Sequence, residues 1–106
     1  MVDVGTHKRF ENDRMIVWEL VLEPGQSSGV HTHSRSFFFH VLNGSDIEVT
    51  DARGELLFCN PTPDGFTLSF KLQGDELVSD LVRIPGTHAA KNVGKSVYRE
   101  ILIEIK

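Results

Sequence analysis

Apolar and polar residues alternate with a period of two along most of this chain. In residues 14–22, the side chains of Ile16, Trp18, Leu20 and Leu22 share one face. Similar segments, separated by turn-forming residues, predict strands over residues 14–22, 31–33, 37–42, 45–50, 55–59, 66–72, 77–84, 88–92 and 97–105. We interpret residues 60–65, which are rich in proline, asparagine and glycine, as a loop.

The spacing of these segments predicts the fold class. No segment shows the 3.6-residue period of a long amphipathic helix. Closely spaced strands with frequent turns predict an all-β antiparallel sandwich or small barrel, in which alternate residues line an interior. The chain of 106 residues has the size of one domain, which we place over residues 1–106.

Charge and cysteine content narrow the range of partners. The 11 basic and 15 acidic residues give a net charge of -4, and no basic cluster is present, so we expect no nucleic-acid partner. No apolar run has the length of a signal peptide or membrane span, and the single Cys59 cannot form an internal disulfide. We therefore expect a cytoplasmic protein without a membrane partner, in which the Cys59 thiol is buried and inert.

Two histidines separated by one residue carry the strongest chemical signal. On a strand, His31 and His33 point to one face and direct their ring nitrogens into a common space. A third histidine, His88, follows the turn-forming Pro85-Gly86. Imidazole suits zinc, iron, copper or nickel, and only the neutral ring binds a metal. Metal affinity is therefore expected to fall as the pH drops through ~6.5, the ordinary histidine pKa.

Two groups of residues resemble the two sequence motifs of the cupin family. The first comprises Gly25, His31-Thr32-His33, Phe37 and Gly44, and the second comprises Pro85-Gly86-Thr87-His88 and Asn92. In the family, a glutamate normally stands where this chain has Phe37. The second motif is compressed, because the glycine usually found before the proline is missing. The combination is more specific than a lone pair of histidines.

The resemblance implies a cupin double-stranded β-helix, or jelly-roll barrel, that holds one divalent metal ion at its open end. It implies His31, His33 and His88 as the metal ligands. Because Phe37 replaces the glutamate, the family's carboxylate ligand is missing. Three-histidine cupins resemble thiol and diketone dioxygenases, which use ferrous iron, although related sites hold zinc or manganese. The metal is therefore expected to be Fe, Zn, Mn or Ni. A cupin that has lost its metal is the alternative.

Strand parity indicates which side chains surround such a site. Phe37 and Phe39 face the interior if the parity of His33 continues, and together with Trp18 they are expected to form a substrate pocket. Two classes of function remain open. One is a metal-dependent enzyme that acts on a small organic molecule, by dioxygen activation or Lewis-acid chemistry. The other is a non-catalytic protein that binds or senses a small molecule.

Charged residues on the strands offer further candidates. Glu19, Glu100 and Glu104 lie among apolar neighbours, and one that points inward can replace the missing ligand or act as a general base. Solvent exposure is nevertheless the expectation for each. Arg35 and Arg99 can anchor an anionic substrate in the same way, but isolated arginines on β-proteins usually lie on the surface.

The outward-facing residues of the third strand segment predict an assembly. Phe38 and Leu42 present apolar surface that a second subunit can cover, so we expect a homodimer. His40 shares their face and is expected to be structural or interfacial rather than a ligand. His7, near the amino terminus, is expected to be solvated.

Overall fold

The computed structural model describes residues 2–106, which form eleven strands in two antiparallel sheets and no helix. The strands are β1 (His7–Glu11), β2 (Met15–Leu22), β3 (His31–Thr32), β4 (Phe37–Asn43), β5 (Ser45–Asp51), β6 (Leu56–Thr62), β7 (Thr67–Gln73), β8 (Glu76–Val78), β9 (Arg83–Pro85), β10 (Thr87–Asn92) and β11 (Tyr98–Ile105). Within the described residues, no helix could cross a membrane.

The larger sheet has the strand order β1-β2-β11-β4-β7-β8-β9, and the smaller has the order β3-β10-β5-β6. Non-consecutive strands lie side by side in both sheets, so the chain crosses repeatedly between the two layers, as in a jelly roll. The sheets face each other but are not joined into a closed barrel. The expectation of a barrel is corrected in this respect, because each sheet ends in edge strands: β1 and β9 in one, β3 and β6 in the other.

Alternation along the strands separates the core from the outer surface. Trp18 lies opposite Leu102, and Leu20 lies opposite Glu100, so the inward faces of β2 and β11 are in register. On β4, Phe37 and Val41 are buried whereas His40 is exposed, which confirms the predicted parity of that strand. The buried residues form two neighbouring clusters, one around Phe37 and one around Val41.

Three predicted features differ from the structure. Strand β6 continues to Thr62 through Pro61, although residues 60–65 were interpreted as a loop; proline is tolerated because β6 is an edge strand. The predicted strand over residues 77–84 is divided into β8 and β9 by a turn in which Ser79 Oγ accepts the backbone N–H of Val82. Strand β1 was not predicted, because all of its residues are exposed and its sequence is mostly polar.

Cys59 also differs from the prediction. It is exposed rather than buried. Its neighbour Phe58 lies on the inward face of β6, so strand alternation turns Cys59 to the opposite face. Cys59 therefore presents a free thiol on the outer face of the edge strand β6.

A buried asparagine at the end of β10, the strand that carries His88, joins several neighbouring segments. Asn92 is fully buried, and its amide donates hydrogen bonds to the carbonyl oxygens of Leu22 and Ser96. Its Oδ1 accepts hydrogen bonds from the Ser45 hydroxyl and the Gly94 N–H. These contacts use the full donor and acceptor capacity of the side chain, which explains how a polar group is accommodated in the core.

Candidate metal centre

His31, His33 and His88 lie together at one end of the space between the sheets. Each offers a ligand atom, and these atoms all lie within 4.8 Å of one another. The ring centroids are 4.9 Å apart for His31 and His33, 4.7 Å for His31 and His88, and 5.0 Å for His33 and His88. All three side chains are buried. The predicted histidine cluster is confirmed as a group that can hold a metal ion.

Local backbone geometry orients the His31 ring. Gly29 has a φ of +78°, a conformation that glycine adopts without steric cost, and its carbonyl oxygen lies 2.9 Å from His31 Nδ1. A neutral imidazole whose Nδ1–H donates to this carbonyl carries its lone pair on Nε2. The turn therefore prepares His31 to coordinate through Nε2.

The His88 ring is oriented in the same manner by the second motif. Pro85 O lies 2.9 Å from His88 Nδ1, which again leaves the lone pair on Nε2. Gly86, which lies between Pro85 and His88 in sequence, packs closely against two backbone segments. Its N–H donates to Asp75 O, and its carbonyl oxygen accepts the His33 N–H. A Cβ at Gly86 would lie 2.9 Å from Asp75 O, so a side chain here would disturb the segment that aligns His33 with His88.

His33 has no such partner. Its Nδ1 is buried and makes no hydrogen bond to the described residues. Native structures seldom leave a buried polar atom unpaired unless a water or ion completes the site. The rings of His31 and His88 carry their lone pairs on Nε2, and the His33 ring has a buried nitrogen without a hydrogen bond. This arrangement fits a bound metal ion. When bound, such an ion supplies Lewis-acid or, for iron, redox chemistry at positions that three protein ligands leave open.

The buried environment keeps these rings neutral. Burial lowers the pKa of His31, and it lowers the pKa of His88 to about 4. The pKa of His33 falls furthest, first because of burial and then because the other two imidazoles would repel its positive charge. The metal-free cluster thus presents neutral rings, which is the form that binds metal.

Phe37 occupies the position of the carboxylate ligand implied by the resemblance. Its ring stacks on His33 with a centroid distance of 4.2 Å and an interplanar angle of 17°, and it also packs against Phe70 at 5.4 Å. An aromatic ring in this position supports the His33 imidazole but donates no electron pair to a metal.

The histidines open onto a cavity of about 500 Å³ between the two sheets. Phe37 and Phe39 line it, as do Phe58, Phe66 and Phe70 from neighbouring strands. This volume lies within the ~300–1,000 Å³ of small-molecule sites, and a mostly apolar wall is typical of them. Trp18 is placed differently from the expectation. It packs beside the cavity in the core, with its Nε1 donating to Glu104 Oε1 at 2.8 Å.

The expectation that all three strand glutamates are exposed is wrong. Glu19, Glu100 and Glu104 are 5%, 7% and 4% exposed. Glu19 lies on the outer side of the large sheet, covered by the guanidinium groups of Arg9 and Arg99, which lower its pKa. Arg99 is therefore engaged with Glu19 rather than directed at the cavity. Sequence alternation alone gives no sign of the ion pairs that bury such a carboxylate.

Glu100 is the glutamate that reaches the cavity, and Tyr98 lines it as well. The Tyr98 hydroxyl donates to Glu100 Oε1 at 2.5 Å. Sequence reasoning did not single out Tyr98, although its position two residues before Glu100 places both side chains on one strand face. Arg35 lies near the histidines in sequence but does not line the cavity within the described residues.

Comparison of the sequence alone finds no relative: no family model matches the chain, and no curated protein does. Comparison of the structure does. A cupin domain from Bordetella pertussis superposes with a TM-score of 0.70 at 18% identity, covering 100% of this chain and 98% of that one. A Klebsiella pneumoniae protein with a double-stranded β-helix domain gives 0.63 at 16% identity, covering 99% and 80%.

A third structural neighbour has a named activity. The polyketide cyclase RemF from Streptomyces resistomycificus gives a TM-score of 0.55 at 16% identity, covering 89% of this chain and 56% of that one. At these identities the likeness concerns the fold. The two-sheet architecture, the histidine cluster between the sheets and these neighbours together establish that the chain has the cupin fold.

Proposed function

We propose that this protein is a mononuclear-metal cupin that acts on a small, largely apolar organic molecule. The observation that carries the proposal is the convergence of His31, His33 and His88 at one end of a phenylalanine-lined cavity. The ion would be Fe, Zn, Mn or Ni, since neutral imidazoles suit all of these. Its open coordination positions would face the space that the molecule fills.

The protein groups have separate tasks in this arrangement. The Gly29 and Pro85 carbonyls hold the rings of His31 and His88 in one tautomer. Phe37 stacks on His33 and restricts its rotation. The phenylalanine wall makes the surroundings of a bound molecule mostly apolar, which would strengthen electrostatic interactions at the metal end. Dioxygen activation and Lewis-acid chemistry are both compatible with such a site, and the polyketide cyclase neighbour supports testing oxygenated carbon chains as substrates.

Metal content after purification tests the proposal. Wild-type protein is expected to contain close to one equivalent of a transition metal by elemental analysis, and His31→Ala/His33→Ala to contain almost none. His40→Ala is the matched control, because His40 is exposed and bonds to Thr67 on the outer face. Equal metal content in wild type and the double variant would contradict the proposal.

The apolar cavity also favours a second candidate, namely ligand binding without turnover. Its wall holds few polar groups that can take part in a reaction, apart from the histidines and the Tyr98–Glu100 pair. Two assays distinguish the enzyme from the binding protein. One measures oxygen consumption by iron-loaded protein with thiols and diketones, and the other analyses products formed from polyketide-like chains. Binding with no change in these compounds favours the binding protein.

We also propose a homodimer. Phe10, Val17, Ile103 and Phe38 lie opposite one another across β1, β2, β11 and β4. Their side chains lie on the face of the large sheet that points away from the cavity and form an outer apolar row. Phe10 is 52% exposed, and Leu42 on the same face of β4 is 43% exposed. A second copy of the chain would cover this row.

A further inference from the structure

The Tyr98–Glu100 pair is a polar pair in a mostly apolar cavity, whose wall also includes Asn60 and Thr62 of β6. Both residues belong to β11 and point to its inward face. Glu100 lies opposite Leu20 on one neighbouring strand and Val41 on the other. These two neighbours offer no hydrogen bond, and Tyr98 is the only described residue that forms one with the carboxyl group.

One oxygen of the Glu100 carboxyl group forms a hydrogen bond within the protein, and the other does not. Oε1 accepts the Tyr98 hydroxyl, whereas no described residue forms a hydrogen bond with Oε2. Glu100 is only 7% exposed and lines the cavity. Oε2 is therefore open to the cavity, where a ligand or water can form a hydrogen bond with it.

This pair lies at the opposite end of the cavity from the histidines. The His33 ring stacks on Phe37, which lies opposite Glu104, whereas Glu100 lies opposite Val41. Phe37 and Val41 are four residues apart on β4, as are Glu100 and Glu104 on β11, and four residues of a strand span about 13 Å. The phenylalanine wall lies between the two polar ends.

We propose that Glu100 and Tyr98 form a second binding subsite, which takes an oxygen acceptor such as a ketone at the end of the ligand farthest from the histidines. Glu100 Oε2–H donates to that oxygen while Oε1 accepts from Tyr98. The ligand is then a largely apolar molecule with an oxygen acceptor at this end. The inference rests on the proposed function for the use of the cavity, but it does not require the metal.

The protonation state of Glu100 is consistent with this role. Burial raises its pKa to about 7, although the hydrogen bond from Tyr98 acts in the opposite direction. Burial and the neighbouring carboxyl also raise the pKa of Tyr98, so the phenol keeps its proton. The pair can therefore present one hydrogen-bond donor to the cavity at slightly acidic pH.

A pair of similar probes tests the subsite in metal-free protein at pH 6. We expect 2-acetylnaphthalene, which carries a ketone, to bind about fivefold more tightly than 2-ethylnaphthalene, the difference expected for one net hydrogen bond. The preference is expected to vanish in Glu100→Leu/Tyr98→Phe, which replaces both partners by apolar groups and so leaves no buried polar atom unpaired. Glu100→Gln keeps a donor and is expected to retain the preference.

The outcomes separate this inference from the proposed function. His31→Ala/His33→Ala is expected to lose metal but to keep the ketone preference. A ketone preference that persists in Glu100→Leu/Tyr98→Phe, or that is absent from wild type, overturns the subsite whether or not the protein binds metal. Failure of both probes to bind wild type overturns it as well. In the supporting case, the ketone stretching frequency of the bound probe is lower in wild type than in the double variant.

Discussion

The Phe37 ring lies against the His33 ring, with centroids 4.2 Å apart and planes 17° from parallel. In the first cupin motif this position normally holds a glutamate ligand. Here the residue packs against a candidate ligand and has no carboxylate of its own. The same ring contacts Phe70, so the substitution links the histidine cluster to the apolar wall of the cavity.

Phe37→Glu is expected to add a ligand and to reduce stability. The new carboxylate would lie beside His33, and we expect metal affinity to rise about tenfold, or ~1.4 kcal/mol. Loss of the buried ring is expected to reduce the free energy of unfolding of the metal-free protein by about 3 kcal/mol. Chelator competition measures the affinity, and urea denaturation measures the stability.

Phe39→Glu is the control for that experiment. Phe39 lines the same cavity two residues further along β4, and its ring packs near Phe66 and Phe70 rather than His33. It is expected to lose stability without gaining metal affinity. Equal affinity changes in the two variants would show that position 37 has no special relation to the metal.

The pH dependence of metal binding is expected to differ from that of exposed histidines. Sequence reasoning placed the loss of affinity near ~6.5. Burial lowers the pKa of His88 to about 4 and lowers those of His31 and His33 as well, so protons compete with metal only at lower pH. We expect affinity to change little between pH 7 and pH 6 and to fall at more acidic pH. Chelator competition at each pH measures this, and a tenfold loss between pH 7 and pH 6 would contradict it.

The stability of the metal-free protein is expected to depend on pH through two opposing effects. The histidines have lowered pKa values, so their contribution to stability is lost as the pH falls from ~6.5 toward the folded value, which is about 4 for His88. Glu100 has its pKa raised from 4.5 to about 7, so its contribution is present at low pH and is lost as the pH rises through about 7. Between pH 5 and pH 6.5 the two effects have opposite slopes.

Glu100→Gln removes the carboxyl contribution and leaves that of the histidines. We expect the free energy of unfolding to rise with pH more steeply than in wild type, by ~1 kcal/mol per pH unit between pH 5 and pH 6.5. Urea denaturation at several pH values in the presence of a chelator measures the slope. Glu55→Gln, at an exposed position, is expected to leave it unchanged. Parallel curves for wild type and Glu100→Gln would show that Glu100 titrates normally.

The outer apolar row predicts the effect of a charge on assembly. Phe38 lies opposite Ile103 in this row, and Phe38→Lys places an ammonium group on a surface that a second copy would cover. We expect wild type to be a dimer by light scattering after size exclusion, and Phe38→Lys to be a monomer with unchanged metal content. Lys91→Glu, at an exposed position on β10 of the smaller sheet, is the control for a charge change away from this face. A monomeric wild type would contradict the proposed homodimer.

Local patterning predicted most of the strands well. The segment predicted over residues 14–22 is β2 (Met15–Leu22), and that predicted over residues 97–105 is β11 (Tyr98–Ile105). Their alternating apolar residues leave one face that has to be buried, so the strand and its inward face follow from the same pattern. Two of the three errors fall on edge strands, where burial no longer selects the residues: β1 is polar, and β6 contains a proline.

The sequence by itself determined most of the strands, their inward faces and the three candidate histidines, because side-chain alternation and metal-binding chemistry are properties of short segments. Only the tertiary structure decided which carboxylates serve which purpose. Glu19, Glu100 and Glu104 look alike in sequence, yet one pairs with two arginines, one lines the cavity beside Tyr98, and one accepts a hydrogen bond from Trp18. These differences arise from the neighbouring strands and the facing sheet, whose positions depend on contacts between residues far apart in the chain.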